Sequence, residues 1–188
     1  YVGIDHSPRL IEVAREKNSG EGIRFEATSV DAFEPGVDFD LIFMIGVLHH
    51  LEMPSRSLET MVRWLRPGGH LVVNEPQPAN PLIRVARRAR VLLDRAYSSD
   101  QEEFSADDLR SLFQGAGLEK IEISAQGFLS TPFAEIVLKP HRIMMPLARA
   151  ECAIEVSLEK GNVSWTRKLS WNLIVRGATG NPAAGTDG

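Results

Sequence analysis

Chemistry-bearing side chains stand where apolar runs of this chain end. Asp5 and His6 close the first such run, Asp31 follows the second, and Glu75 ends a later one. A carboxylate at the end of a parallel strand can accept hydrogen bonds from both hydroxyls of a ribose. A second carboxylate, which only accepts hydrogen bonds, suits the exocyclic amine of an adenine. The spacing therefore predicts an adenosine site, with Asp5 on the ribose and Asp31 on the base.

The elements that must position these residues alternate between strand and helix. Ser7 and Pro8 are a typical N-cap and first helical residue. The run at 40–45 is nearly all apolar, which is typical of a parallel strand covered on both faces. This alternation predicts a doubly wound parallel sheet. In order, we predict strand 1–5, helix 8–17, strand 23–27, strand 40–45, helix 55–65 ended by Pro67-Gly68-Gly69, and strand 70–75.

The second half of the chain has a different pattern. Prolines precede a predicted helix at 82–97, and Ser105 with Asp108 forms a capping-box pattern for a short helix that ends at 115–117. A tail at 177–188, rich in Gly, Ala, Pro and Thr, is predicted to be disordered. The remaining predictions are a strand at 118–124, a helical stretch at about 146–159 and a last strand at 169–176.

Composition excludes several classes of protein. The chain has 188 residues, a net charge of −4 and one cysteine, Cys152. We expect one domain, no nucleic-acid partner and, because no internal disulfide can form, a reducing cytoplasm. The longest apolar run, 41–48, is too short to cross a bilayer. No metal site is predicted, because His49 and His50 are adjacent rather than four residues apart.

Four motifs occur in a characteristic order. They are V-G-I-D-H-S (2–7), V-D-A (30–32), F-D-L-I-F-M-I-G-V-L-H-H-L (39–51) and L-R-P-G-G-H-L-V-V (65–73). Together they resemble the class I S-adenosylmethionine-dependent methyltransferases, in the group related to the ubiquinone and menaquinone methyltransferases. The resemblance extends to about residue 125. It implies a Rossmann-like α/β fold whose last strand, 169–176, is antiparallel to its neighbours.

The resemblance implies S-adenosylmethionine as the cofactor and assigns residues to it. Backbone at Met44 to Gly46 would meet the methionine portion. His50 is a candidate base or substrate contact and Glu75 a candidate acceptor contact, although packing and backbone hydrogen bonding are alternative roles for the histidines. Methyl transfer from a sulfonium does not require a catalytic base. The residues assigned to the cofactor are Asp5, His6, Val30, Asp31, Ala32, Met44, Ile45 and Gly46.

One part of the family pattern is absent from the sequence. The Gly-rich turn, and the strand before it, should precede the strand that ends at Asp5. The resemblance therefore implies an N-terminally truncated domain that lacks its first strand, which lies mid-sheet in the family. The missing piece would amount to at least one strand and one helix, roughly 30 residues or more. We expect the domain at 1–176, with a partly helical cover at about 77–104 and 128–162.

The acceptor is expected to be a small or lipid-like molecule, methylated on oxygen, nitrogen or carbon. The predicted helix at 82–97 carries Arg84, Arg87 and Arg88. These arginines form either a solvated face or a contact for an anionic acceptor or a membrane surface. Two other functions remain open: a nicotinamide-dependent oxidoreductase, since an acidic strand end also binds a dinucleotide ribose, and a non-catalytic relic or interaction module.

Overall fold

The computed structural model describes residues 1–18, 20–77, 80, 104–127, 146, 149–150, 152–154, 156–157 and 170–181. The strands are β1 (Val2–Asp5), β2 (Arg24–Ala27), β3 (Phe39–Ile45), β4 (Leu65–Pro76), β5 (Glu119–Gln126) and β6 (Asn172–Ala178). The helices are α1 (Pro8–Lys17), α2 (Pro54–Arg63) and α3 (Ala106–Gly115). The described residues within 146–157 are helical. The predicted helix at 82–97, with Arg84, Arg87 and Arg88, lies outside the described residues.

The strands form two sheets, and the α/β prediction is confirmed. β1 and β2 are parallel neighbours, while the second sheet has the order β3-β4-β6-β5. β3 and β4 run parallel, and β6 runs antiparallel to both β4 and β5. The prediction of an antiparallel last strand is therefore also confirmed. Parallel strands that pair directly end at the same edge of their sheet, so each sheet collects the residues that follow its strands.

The row of side chains on one face of β3 is exposed. Leu41, Phe43 and Ile45 are 53%, 49% and 66% exposed, whereas Met44, on the opposite face, is buried in the core. The prediction that this strand is covered on both faces is therefore wrong for the part of the chain that the structure describes. Only one face has α2 and α3 against it, and within the described ranges no strand pairs between β1 and β3.

The core lies between the four-stranded sheet and the helices α2 and α3. It brings Leu58 of α2 and Phe113 of α3 against Leu71 of β4, and all three are fully buried. The turn after β2 is anchored to this core, because Val30 packs against it and the rings of Phe33 and Trp64 meet edge to face at 5.3 Å. The two sheets are thus connected through the segment that carries Asp31.

Three predicted boundaries, the end of the second helix, the start of β4 and the end of β6, are wrong for the same physical reason. The second helix ends at Arg63, before the prolyl-glycyl segment, and 67–69 lies inside β4. Phe39 of β3 pairs with Leu65 of β4, and Leu41 of β3 pairs with His70 of β4. β4 therefore has more residues than β3 between these two pairs, and the extra residues interrupt the regular pairing of the strands. β6 likewise continues to Ala178, past its predicted end at Arg176. Pairing between distant strands, rather than local sequence, sets these boundaries.

The predicted capping box of α3 is confirmed. The Ser105 hydroxyl accepts the N–H of Asp108 at 3.2 Å, and the Asp108 carboxylate accepts the N–H and the hydroxyl of Ser105 at 2.9 and 2.6 Å. The hydroxyl and then the backbone N–H of Ser105 lower the pKa of Asp108. Both partners therefore satisfy donors that the first turn would otherwise leave unpaired.

Replacing Ser105 by Ala should lower the free energy of unfolding by about 1 kcal/mol, since a donor of the first turn loses its partner. The pKa of Asp108 should rise toward its ordinary value. Urea denaturation and an NMR titration measure the two effects. Ser111→Ala is the matched control, because that hydroxyl only donates to Asp107 O within the helix. Equal losses of stability in both variants would contradict the capping role.

Candidate cofactor and active site

The candidate site lies at the carboxyl ends of the parallel strands. Thr28 N donates to Asp5 O at 3.0 Å, so β1 and β2 end together. Ile45 pairs with Asn74, and Gly46 N donates to Asn74 O at 2.8 Å, so β3 and β4 also end together. Open α/β sheets bind their ligands at this edge.

Asp5 keeps one carboxylate oxygen available. Its Oδ1 accepts the backbone N–H of Ser7 at 2.7 Å, and the His6 ring lies 3.7 Å from the same oxygen. Its Oδ2 has no hydrogen-bond partner in the described part of the chain, and the side chain is 40% exposed. Asp5 thus shapes the turn before α1 and can still accept a hydrogen bond from a ligand.

Asp31 lies on a single 3-10 turn, Val30–Ala32, that follows β2. Ser29 caps this turn, since its hydroxyl accepts the N–H of Ala32 at 3.2 Å. The Asp31 side chain is exposed and forms no hydrogen bond or ion pair with any described residue. Because Val30 packs inward and fixes the turn, the carboxylate of Asp31 is held at the surface as an acceptor.

Gly46 ends β3 with a backbone φ of +60°, which disfavours any residue with a side chain. Met44 is buried and Ile45 is exposed, as expected for alternating directions along the strand. A Cβ atom at position 46 would lie 4.0 Å from His49 Cε1 and would otherwise meet open space. The backbone at Met44 to Gly46 is therefore open to close approach.

Glu75 ties the turn after β3 to the end of β4. Its side chain is fully buried, and its Oε1 accepts the N–H groups of Val47 and Leu48 at 3.1 and 2.8 Å. Its Oε2 lies 2.5 Å from His49 Nδ1. The sequence suggested Glu75 as a direct acceptor contact, but in the structure both of its oxygens are occupied by this turn. The geometry therefore favours a role in holding the turn.

His49 and His50 differ in their surroundings. The rings stack at a centroid distance of 4.0 Å, and His50 is exposed while the His49 side chain is only 13% exposed. The pKa of His50 is lowered from its ordinary value, first by partial burial and then by the neighbouring His49. Glu75 raises this pKa, and His6 lowers it slightly further.

Sequence reasoning missed His49 as the partner of Glu75. The two residues lie 26 positions apart, and nothing local to either position shows that their side chains meet. From the adjacent histidines, the sequence indicated only that His50 could be a base or a substrate contact. The residues that sequence reasoning did identify, Asp5, His6, Asp31, Gly46 and His50, all lie at or beside strand carboxyl ends in the structure.

The pKa of His50 should respond in opposite directions to its two neighbours. His49→Asn should raise it toward the ordinary 6.5, and Glu75→Gln should lower it further. Because folding lowers this pKa, the contribution of His50 to stability is present above pH 6.5 and is lost as the pH falls through the folded value. An NMR titration of the His50 ring measures the shifts. His70→Asn, at the other end of β4, should leave the titration unchanged, and shifts of the same sign in both test variants would contradict this electrostatic account.

Within the described ranges, no three histidine, cysteine or acidic side chains come together as metal ligands. In the same residues, no helix combines the length and the apolar character that crossing a membrane requires. Cys152 lies on the exposed helical segment.

Carboxylates and an open backbone turn at strand carboxyl ends are an arrangement that Rossmann-like folds use to bind nucleotides. Residues 1–73 match a family described as a methyltransferase domain. A demethylmenaquinone methyltransferase of Tropheryma whipplei (strain Twist) is 36% identical over 75 residues, which cover 39% of this chain and 31% of that protein. The chain thus spans about a third of the length of the curated relatives it matches.

Solved structures show the same fold at low identity. A methyltransferase from Thermotoga maritima, described as S-adenosylmethionine-dependent and as a possible histamine N-methyltransferase, has a TM-score of 0.63 at 18% identity and covers 94% of this chain and 72% of its own. NodS from Bradyrhizobium japonicum, an N-methyltransferase with bound S-adenosylhomocysteine, has a TM-score of 0.56 at 22% identity, over 96% of this chain and 66% of its own. Residues 1–73 thus match a methyltransferase-domain family by sequence, and the fold of the chain is similar to that of solved S-adenosylmethionine-dependent methyltransferases.

Proposed function

We propose that this protein transfers a methyl group from S-adenosylmethionine to a small or lipid-like acceptor. The observation that carries the proposal is the arrangement at the strand ends: two carboxylates with available oxygens, Asp5 and Asp31, and the open turn at Gly46. In this proposal, each of the three contacts a different part of the cofactor. The family match at residues 1–73 contains all three.

The residues present fit the cofactor chemically. The Oδ2 atom of Asp5 can accept from a ribose hydroxyl, and Asp31 can accept from the exocyclic amine of adenine. His6, Val30 and Ala32 flank these two carboxylates. The backbone from Met44 to Gly46 leaves room for the methionine portion, since only open space and the His49 ring lie where a Cβ of residue 46 would point. When bound, S-adenosylmethionine supplies an electrophilic methyl group on a positively charged sulfur.

The acceptor is proposed by analogy with the relatives. The Tropheryma relative is named for demethylmenaquinone, and a further relative from Mycobacterium leprae is named for phthiotriol and phenolphthiotriol dimycocerosates. Both names describe hydrophobic molecules, which supports a small or lipid-like acceptor for this chain. A cytoplasmic location agrees with a single cysteine. Contact of Arg84, Arg87 and Arg88 with an anionic acceptor or membrane surface remains part of the proposal.

The proposal is tested by methyl transfer from radiolabelled S-adenosylmethionine in the natural protein. The acceptor panel contains a short-chain demethylmenaquinol, a simple phenol and a primary amine, and Asp5→Ala serves as the negative control. We expect label in at least one acceptor and strongly reduced transfer by the variant. A folded protein that binds no S-adenosylhomocysteine and labels nothing would favour the non-catalytic relic, and selective binding of a nicotinamide dinucleotide would favour the oxidoreductase.

A further inference from the structure

His49 and Glu75 form a side-chain contact that cofactor binding does not require. Glu75 is the only acidic residue among the described ones that is fully buried, and three donors of one turn converge on it. Burying a carboxylate is costly unless hydrogen bonds satisfy it. Val47 N and Leu48 N meet Oε1, which leaves Oε2 for the His49 ring. The turn is therefore built around this carboxylate.

The position of Glu75 dictates which ring nitrogen of His49 faces outward. Glu75 Oε2 lies against Nδ1, and an ionised carboxylate can only accept, so Nδ1 must carry the proton. In the neutral imidazole, the other nitrogen, Nε2, then presents a lone pair. Within the described residues Nε2 has no hydrogen-bond partner, and the side chain keeps 13% of its surface exposed. An oriented lone pair beside the open turn at Gly46 is the arrangement of a general base.

We propose that His49 is the proton-accepting residue of the methyl transfer and that Glu75 is its positioning residue. This inference rests on the proposed function, and it narrows the acceptor to one whose nucleophile carries a proton, such as a hydroxyl. The hydroxyl proton moves to His49 Nε2 as the oxygen–carbon bond forms and the carbon–sulfur bond breaks. The sulfur leaves neutral with the bonding electron pair, and the proton later passes from His49 to water.

The exposed His50 is a weaker candidate for this role. Its ring lies against His49, but none of its ring atoms forms a hydrogen bond with a described residue that would fix the tautomer. Among the described residues, the charged and titratable groups that face the pair are Glu75 from β4, His6 from the end of β1, and the two histidines themselves. Of these, only Glu75 orients a ring nitrogen by direct contact.

The tautomer of His49 can be read directly by nitrogen-15 NMR of the histidine-labelled protein at neutral pH. We expect a protonated Nδ1 and an unprotonated Nε2. In the Glu75→Gln variant, the side-chain amide oxygen should occupy the position of Oε1. An atom at that position must accept hydrogen bonds from the backbone N–H groups of Val47 and Leu48. The amide NH₂ would then donate to Nδ1, and the ring proton should move to Nε2. Glu52→Gln removes the same charge from an exposed position near this turn and should leave the tautomer unchanged.

The wild-type spectrum decides the proposal without any variant or acceptor. A proton on Nε2 in the wild-type protein would overturn it, even if S-adenosylhomocysteine binds. Failure of S-adenosylhomocysteine to bind would instead overturn the proposed function, whatever the tautomer of His49. The two failures are therefore distinguishable.

Kinetics supply a second readout with any acceptor that the panel identifies. We expect His49→Asn and Glu75→Gln to lower kcat by about 100-fold or more, the range for loss of a general base. The dissociation constant of S-adenosylhomocysteine should change little, and Glu75→Asp should recover part of the lost rate. A kcat within a few-fold of the wild-type value in His49→Asn would overturn the assignment.

Discussion

Replacing Asp5 by Ala is expected to weaken the binding of S-adenosylhomocysteine by about 1.5–3 kcal/mol, which is the range for hydrogen bonds to a charged group. This corresponds to a dissociation constant raised by about tenfold to somewhat over a hundredfold. The reason is the available Oδ2 atom at the carboxyl end of β1, where a ribose hydroxyl would donate. Isothermal titration calorimetry measures the change.

Two further variants separate ligand binding from local structure. Asp5→Asn keeps an oxygen that can accept from Ser7 N, so the turn before α1 should survive while the charge is lost. It should therefore bind more tightly than Asp5→Ala and more weakly than the wild-type protein. Asp40→Ala removes an exposed carboxylate that pairs with Arg66 near the start of β3, and its affinity should be unchanged. Equal affinity of Asp5→Ala and the wild-type protein would refute the ribose assignment.

Replacing Leu109 by Ala is expected to lower the free energy of unfolding by about 2–5 kcal/mol. Leu109 lies on the inner face of α3 and is fully buried in the core between the helices and the four-stranded sheet. The truncated side chain would leave a cavity that closely packed neighbours fill only in part. Urea denaturation of the protein, followed by circular dichroism, measures the loss.

The matched control is Leu10→Ala on α1. Leu10 is 56% exposed, so the same truncation removes little buried surface and places a good helix former in the helix. Its free energy of unfolding should change by less than about 1 kcal/mol. A loss in Leu10→Ala equal to that in Leu109→Ala would contradict the placement of the core.

The parts of the fold that sequence predicted best are those with local causes. Ser7 and Pro8 define the start of α1, and the predicted helix has the observed bounds, Pro8–Lys17. Ser105 and Asp108 likewise determine the start of α3 through bonds that span three residues. The candidate cofactor residues were also identifiable, because an acidic residue at the end of an apolar run is visible without any tertiary contact.

The parts that sequence did not predict depend on pairing between distant segments. Leu65 joins a strand because Phe39 lies beside it, although the following prolyl-glycyl segment indicates a turn. The contact between the His49 and Glu75 side chains forms only when β3 and β4 align in parallel. The exposure of Leu41, on the outer face of β3, depends on what packs there, which an apolar run cannot show.

The central claim is that the carboxyl ends of these strands bind the adenosine and the amino-acid portion of one cofactor. The most direct test is a calorimetric titration of S-adenosylhomocysteine into the natural protein, with a nicotinamide dinucleotide titrated in parallel. We expect saturable binding of S-adenosylhomocysteine at one site per chain and no binding of the dinucleotide. A folded protein that shows no heat of binding with S-adenosylhomocysteine would contradict it.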